Sequence, residues 1–312
     1  MHRLAFIMAM PSYFSLSIIL LFLSHQALAE TYSCPHNENL LQGDVDLLEF
    51  PLNLEYTEAE FFLYGAVGYG LDEYDPKLAM GGPPPIGVRK ANLDPFTRDL
   101  ITQFAYQEVG HIRAIKSTVR GFPRPLLDLS PNNFAKLFDM AFEHPLSPPF
   151  DPYINSLNYI LAVYVIPYVG LTGYVGANPN LQAYASKKLV AGLLAVESGQ
   201  DAVIRALLYE RAEDMVKPYE YTVAEFTDRI SELRNRLGHA GIKDEGLVVP
   251  PELGAENKTS GNILSADYNS LAYGRTPAEV LRIVYSTGDE HKPGGFFPNG
   301  GKGTIAESYL KD

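Results

Sequence analysis

Tryptophan is absent from this 312-residue sequence, and cysteine occurs once, at Cys34. A single cysteine rules out a disulfide within the chain, so Cys34 is either a free or capped thiol or pairs with another chain. The hydrolase patterns Gly-x-Ser-x-Gly and His-Glu-x-x-His are missing as well. Positive charge is scarce, since the net charge is −12. We therefore expect no binding to nucleic acid.

The first 29 residues have the features of a secretory signal peptide. A basic start at His2 and Arg3 precedes an uncharged apolar run, and Ala27-Leu28-Ala29 matches the small-x-small cleavage pattern. We predict cleavage after Ala29, with an uncleaved anchor as the alternative. The predicted location is extracellular or in the cell wall, or another endomembrane compartment. The sequon Asn257-Lys258-Thr259 predicts a glycan on Asn257, which fits this route.

Hydrophobic periodicity predicts an all-α fold with four long helical segments and a proline-rich crossover at 121–149. The first helix opens at Asp44 and is kinked by Pro51, and the second has Asp94 as its N-cap. The glycine-rich end from Gly288 is expected to be irregular or only loosely docked. The predicted organisation is a signal peptide at 1–29, an N-terminal extension at 30–43, a bundle at 44–215 and a C-terminal extension with short helices at 216–312.

An uncharged stretch runs from Pro152 to Ser186 and admits two interpretations. By length and hydropathy it is a candidate membrane span. Asn155, Asn158 and Pro167 interrupt it, together with several tyrosines, which favours a buried central helix of a bundle. We therefore expect no membrane span after signal cleavage.

A Glu-x-x-His pattern, Glu108 and His111, lies within the apolar stripe of the second helix. Residues three apart share a helical face, and a buried unpaired charge is costly, so both side chains need partners. Bundles that hold two metals supply such partners from the other helices. Glu55 and Glu197 lie mid-helix on the first and fourth helices. We predict a shared polar or metal site, although any one of these glutamates could instead reach solvent or pair with a tyrosine or arginine.

The pattern is incomplete for a two-metal bundle, which has four carboxylates and two histidines. The fourth helix has Gln200 where a second histidine would stand, and the third has Pro167-Tyr168 in place of a carboxylate. Asp201 could compensate only in part, if the helix is rotated. The predicted donors are therefore three carboxylates and one imidazole, a set that suits Fe or Mn better than zinc.

At these residues the sequence resembles the plant desiccation-related proteins, which are secreted members of the ferritin-like superfamily. The resemblance implies an up-down four-helix bundle with a crossover between its second and third helices. It places Glu55, Glu108, His111 and Glu197 at ligand positions, and Pro167, Tyr168 and Gln200 at degenerate ones. The matching stretches are 46–62, 82–87, 103–115, 166–179 and 193–210.

Two functional hypotheses follow. The first is a secreted, protective and non-enzymatic protein of the stress response that retains a degenerate metal site. The alternative is a metalloprotein that sequesters Fe or Mn or detoxifies reactive oxygen species, and an enzyme of this kind would be a metal-dependent oxidoreductase. The sequence is compatible with a homo-oligomer and identifies no partner protein.

Overall fold

A computed structural model describes residues 40–311, and this part of the chain has the predicted all-α fold. Proline at the first helical position and polar N-caps begin several of its helices. We number the α-helices in chain order: α1 (Gln42–Glu49), α2 (Leu52–Val67), α3 (Leu71–Tyr74), α4 (Pro76–Ala79), α5 (Pro95–Thr118), α6 (Pro131–Phe142), α7 (Ser156–Val163), α8 (Pro167–Ala177), α9 (Tyr184–Glu210), α10 (Val223–Gly238), α11 (Pro277–Val284) and α12 (Thr304–Ser308).

The bundle has four helical positions, which we call columns. They are formed by α2, by α5, by the consecutive helices α7 and α8 together, and by α9. Helix α2 packs against α5 and α8, and α9 packs against α5, α7 and α8. The connection from α5 to α7 carries α6 and is the long crossover that the sequence predicts. Each column buries an apolar face toward the others, so polar groups at mid-height are enclosed.

The first helix differs from the prediction. The chain turns at Phe50 and Pro51, so that two helices replace one kinked helix. Asp44 is not an N-cap, because α1 already begins at Gln42. Its buried carboxylate instead accepts hydrogen bonds from the backbone N–H groups of Gln182 at 2.8 Å and Ala183 at 2.9 Å, just before α9. Asp44 therefore fixes the start of the fourth column.

The second column begins as predicted. Asp94 precedes Pro95, and its carboxylate accepts a hydrogen bond from the backbone N–H of Thr97 at 3.0 Å. The 24 residues of α5 then run unbroken, which carries Glu108 and His111 to the middle of the bundle.

The third column is broken between Val163 and Pro167. Proline has no N–H to continue the hydrogen-bond ladder, but it is well suited to the first turn of a new helix. The segment Ser156–Asn180 is long and apolar enough for a membrane span, and 72% of its most apolar window is buried within the protein. Such burial is typical of a central bundle helix.

Three buried arginines connect the bundle to the region after it. Arg205 of α9 donates to the carbonyls of Ile263 at 2.6 Å and Asn262 at 2.7 Å. The guanidinium carbons of Arg205, Arg234 and Arg275 lie 5.2 to 5.8 Å from the centre of the Tyr168 ring. We call the set Arg205, Arg234, Arg275, Asp244, Tyr164 and Tyr168 the arginine cluster.

The C-terminal tail from Gly288 contains the short helix α12 and packs against the rest of the described chain rather than being loosely docked. Phe296 and Phe297 are buried. The backbone N–H of Gly301 donates to the hydroxyl of Tyr285 at 2.8 Å. The side chain of Asn53 on α2 pairs with the backbone of Lys302 through two hydrogen bonds of 2.9 and 2.7 Å. The tail thus contacts the first column directly.

Candidate metal centre

The structure brings the four predicted ligand residues together in the middle of the bundle. Glu55 comes from α2, Glu108 and His111 from α5, and Glu197 from α9. One ligand atom from each lies within 4.8 Å of the others, and all four residues are buried. That a metal binds them stays a prediction.

The imidazole of His111 forms the centre of this group. Its Nδ1 atom lies 3.2 Å from Glu55 Oε2, 3.2 Å from Glu108 Oε2 and 3.2 Å from Glu197 Oε1. Glu108 and His111 face the same way because they stand one helical turn apart on α5. Three carboxylate oxygens therefore surround one ring nitrogen, and we call the four residues the Glu/His cluster.

Burial and mutual charge shift the pKa of every group in the cluster. Burial raises the pKa of Glu55, but the charge of His111 and its hydrogen bond outweigh burial and lower it below the usual value. Burial opposes the imidazolium, yet the charge of Glu55 and the hydrogen bonds of the carboxylates raise the pKa of His111. Burial raises the pKa of Glu197 to about 7, with His111 acting in the opposite direction. The metal-free cluster therefore holds protons that a cation would displace.

Glu58 is a further carboxylate of this site, and the sequence interpretation missed it. It stands one turn after Glu55 on α2 and is only 1% exposed. Burial first, and then the charges of Glu197 and Glu108, raise the pKa of Glu58 well above its usual value. The spacing Glu55-x-x-Glu58 repeats that of Glu108-x-x-His111 and was the available signal. With Glu58, the buried carboxylates number four.

The third column faces the site with residues other than the predicted ones. Pro167 begins α8, and the hydroxyl of Tyr168 donates to the carbonyl of Lys243 at 3.1 Å, away from the Glu/His cluster. The break at Pro167 restarts the helix and changes which residues point inward. Tyr174 instead donates its hydroxyl to Glu55 Oε1. A Cβ atom at Gly170 would lie 3.8 Å from Glu58 Oε1 and 3.9 Å from Glu197 Oε2, so this glycine leaves space beside both carboxylates.

Gln200 lies where the sequence places it, beside the cluster on α9. Its amide nitrogen donates to Glu108 Oε1 at 2.5 Å and to Gln107 Oε1 at 3.1 Å. Asp201 does not join the group, so it does not replace a missing ligand. Its carboxyl is buried on the side of the arginine cluster, and burial raises its pKa to about 6 against the opposing charges of Arg205 and Arg234.

Several buried oxygens at this site have no hydrogen-bond partner: Glu58 Oε1, both Glu197 oxygens and Gln200 Oε1. Buried polar atoms are nearly always satisfied in folded proteins, so such a concentration of free acceptors is typical of a ligand-binding site. A small cavity of about 20 Å³, lined in part by Glu58, Glu197 and Gly170, lies beside these atoms and has room for one water-sized molecule. Carboxylate oxygens with one imidazole nitrogen are donors that fit Fe or Mn.

Comparison with known proteins agrees with this arrangement. The family model described as "Ferritin-like domain" matches residues 43–210. The chain belongs to the ferritin-like family. The ferritin-like catalase Nec2 of Nesocodon mauritianus is 63% identical over 269 residues, which cover 86% of each chain. The desiccation-related protein PCC13-62 of Craterostigma plantagineum is 60% identical over 290 residues, which cover 92% of each chain. No solved structure matches.

These matches confirm that this ferritin-like protein is related to the desiccation-related proteins. Of the remaining predicted sites, Asn257 lies within the described residues. Asn257 is exposed, at the end of a single 3₁₀ turn formed by Ala255–Asn257. Ala29 and Cys34 lie outside the described residues.

Proposed function

We propose that this protein binds Fe or Mn through Glu55, Glu108, His111 and Glu197 and decomposes hydrogen peroxide. Two molecules of peroxide would give two of water and one of dioxygen. The observation that carries the proposal is a buried cluster of carboxylates around one imidazole, in which several oxygens have no partner. The relative named a ferritin-like catalase, at 63% identity, supports peroxide as the substrate.

The energetics of the cluster support a bound cation. Carboxylates buried together repel one another. Desolvation costs on the order of several kcal/mol for each carboxylate that has no partner. His111 supplies one positive charge against Glu55, Glu108 and Glu197, with Glu58 close by. A metal ion would balance this excess and satisfy the free oxygens at the same time.

The side chains around the cluster have roles that suit peroxide chemistry. A bound Fe or Mn would supply the change of oxidation state that the reaction requires. Glu58 lines the cavity, and in the metal-free protein burial and its carboxylate neighbours raise its pKa. Decomposition of peroxide moves protons between oxygen atoms, and a protonated carboxyl at that place can give and take one. The buried walls of the cavity keep bulk water away.

Removal of peroxide would also account for a protective role. The relative from Craterostigma plantagineum is named a desiccation-related protein. We propose that the chain is secreted or held in another endomembrane compartment, on the basis of the segment that ends at Ala29. There it would lower the peroxide concentration during stress.

The proposal is tested by metal content and oxygen release from the same preparations. Wild type, purified without a metal-binding tag and reconstituted with Fe or Mn, should contain metal by inductively coupled plasma mass spectrometry and release dioxygen from peroxide. The double variant Glu108→Ala/His111→Ala should lose both. The matched control is Asp99→Ala/Gln103→Ala, an exposed pair on the same helix that should keep both. A wild type that stays empty after reconstitution would reject the proposal in favour of the non-catalytic protective protein.

A further inference from the structure

We propose that the Glu/His cluster holds one metal ion per chain, because Tyr174 and Gln200 occupy the carboxylate oxygens that a second ion would need. This inference rests on the proposed function and specifies its metal centre. It concerns the second oxygen of each carboxylate, the one that does not face His111, and we call these the outer oxygens. The ligand pattern in the sequence does not describe them.

The inner oxygens define a single position for an ion. Glu55 Oε2, Glu108 Oε2 and Glu197 Oε1 each lie 3.2 Å from His111 Nδ1. The four residues come from three helices and offer one ligand atom each, all within 4.8 Å of one another, so each residue can give one atom to the same ion. No other side chain is needed to complete this half of the centre, and water can fill the remaining positions.

The outer oxygens of two of these carboxylates are already taken. Glu55 Oε1 accepts the hydroxyl of Tyr174, and Glu108 Oε1 accepts the amide nitrogen of Gln200 at 2.5 Å. Tyr174 and Gln200 are 3% and 2% exposed, so neither donor can exchange its partner for bulk water. A carboxylate that bridges two ions uses both oxygens, and these two offer only one each.

The ligand atoms that remain for a second ion are few and weak. Glu197 Oε2 and Glu58 Oε1 are free of hydrogen bonds, and both lie within 4 Å of the Cβ position of Gly170. Gly170 has no side chain to contribute. Gln200 could add only its neutral amide oxygen, a weak ligand for iron. Two carboxylates and an amide cannot compete with three carboxylates and an imidazole.

Tyr174 and Gln200 are thus positioning residues, since each acts on the metal through the carboxylate that it holds. Partners of this kind commonly change metal affinity by about 10- to 100-fold. We expect Tyr174→Phe and Gln200→Leu each to bind one ion with affinity lowered by a factor in that range. Replacement of both by Tyr174→Phe/Gln200→His frees Glu55 Oε1 and Glu108 Oε1 and adds a second imidazole. That double variant should bind two ions.

The test uses the full chain, stripped of metal and titrated with Mn(II). Mass spectrometry after desalting gives the stoichiometry, and electron paramagnetic resonance separates an isolated Mn(II) ion from a magnetically coupled pair. Wild type should bind one Mn per chain with the spectrum of an isolated ion. Tyr174→Phe/Gln200→His should bind two with a coupled spectrum, and His111→Ala should bind none. Circular dichroism identifies the variants that remain folded.

The outcomes separate this inference from the proposed function. Two coupled Mn ions in wild type would overturn the single-ion centre and leave peroxide decomposition standing. No Mn in wild type would overturn this inference, and a failure to take up Fe as well would overturn the proposed function. A folded Tyr174→Phe/Gln200→His that still binds one ion would overturn the role given to the two hydrogen bonds. If that variant does not fold, the stoichiometry and spectrum of wild type still decide the question.

Discussion

Two buried charged clusters share helix α9, and their hydrogen bonding differs. In the arginine cluster every guanidinium meets acceptors. Arg205 donates to backbone carbonyls, Arg234 Nη2 donates to Asp244 Oδ1 at 3.0 Å, and Arg275 donates to the hydroxyl of Thr172 at 2.9 Å. In the Glu/His cluster, acceptors outnumber donors, and both oxygens of Glu197 lack a hydrogen bond.

The difference separates a structural network from a binding site. A satisfied network of buried charges fixes the geometry of the elements that it joins. Unpaired acceptors in the same protein destabilise the metal-free state and are retained where a ligand completes them. On this basis, substitutions in the arginine cluster should reduce stability, and substitutions in the Glu/His cluster should mainly reduce metal binding.

Arg234→Met should have the largest effect. The substitution removes the contacts to Asp244 and to the Tyr164 carbonyl and leaves a buried carboxylate less well compensated. Loss of one partner of a buried ion pair costs about 3–5 kcal/mol. Urea denaturation should show this loss, with Arg229→Met as the control, since Arg229 forms only an exposed pair with Glu232. Equal losses in the two variants would contradict the structural role.

Asp201→Asn should increase stability at neutral pH. Burial raises the pKa of Asp201 to about 6, above the value of about 3.9 for an unfolded chain. Wild type therefore loses about 3 kcal/mol of stability as pH rises from about 4 to about 6, and the asparagine variant is spared this loss. The difference between the two proteins, measured by urea denaturation, should be largest above pH 6 and vanish below pH 4. The matched control is Asp214→Asn, whose side chain is exposed.

Glu58→Gln should change stability least among the buried substitutions. Burial and its carboxylate neighbours raise the pKa of Glu58 in the metal-free protein and so favour its neutral form, which an amide resembles, and we expect a change of less than about 1 kcal/mol. Mn(II) titration should nevertheless show weaker binding than wild type, since glutamine cannot lose a proton and so cannot supply a negative charge beside the bound ion. A large loss of stability with unchanged Mn binding would show that Glu58 has a structural role rather than a role in metal binding.

Asn257→Gln should leave both clusters unaffected, because Asn257 is exposed and touches neither of them. In a secretory host, wild type should carry a glycan that an N-glycosidase removes, and the variant should lack that mass. Thr259→Ser keeps the sequon and serves as the control. An unmodified wild type from a secretory host would remove this support for the predicted route.

The Glu/His cluster could be predicted because helical periodicity identified the inward face of α5 and α9. Glu58 was not predicted, because almost every residue of α2 from Leu52 to Ala66 is buried. This helix has no polar face from which the inward direction of its side chains could be inferred. The orientation of Tyr168 could not be extended across the break at Pro167. The arginine cluster joins residues far apart in the chain, such as Arg205 and Asn262, and local sequence patterns cannot predict such pairs.

The contact between Asn53 and Lys302 bears on when the protein matures. Asn53 precedes Glu55 and Glu58 on the same helix, and its side chain is held by backbone from the final stretch of the chain. These two residues are 249 positions apart, and closing so long a loop is an unfavourable step in folding. Glu55 and Glu58 lack this support until the loop closes, so we expect the centre to reach its finished geometry late in folding. Metal loading would follow the closure of this loop rather than precede it.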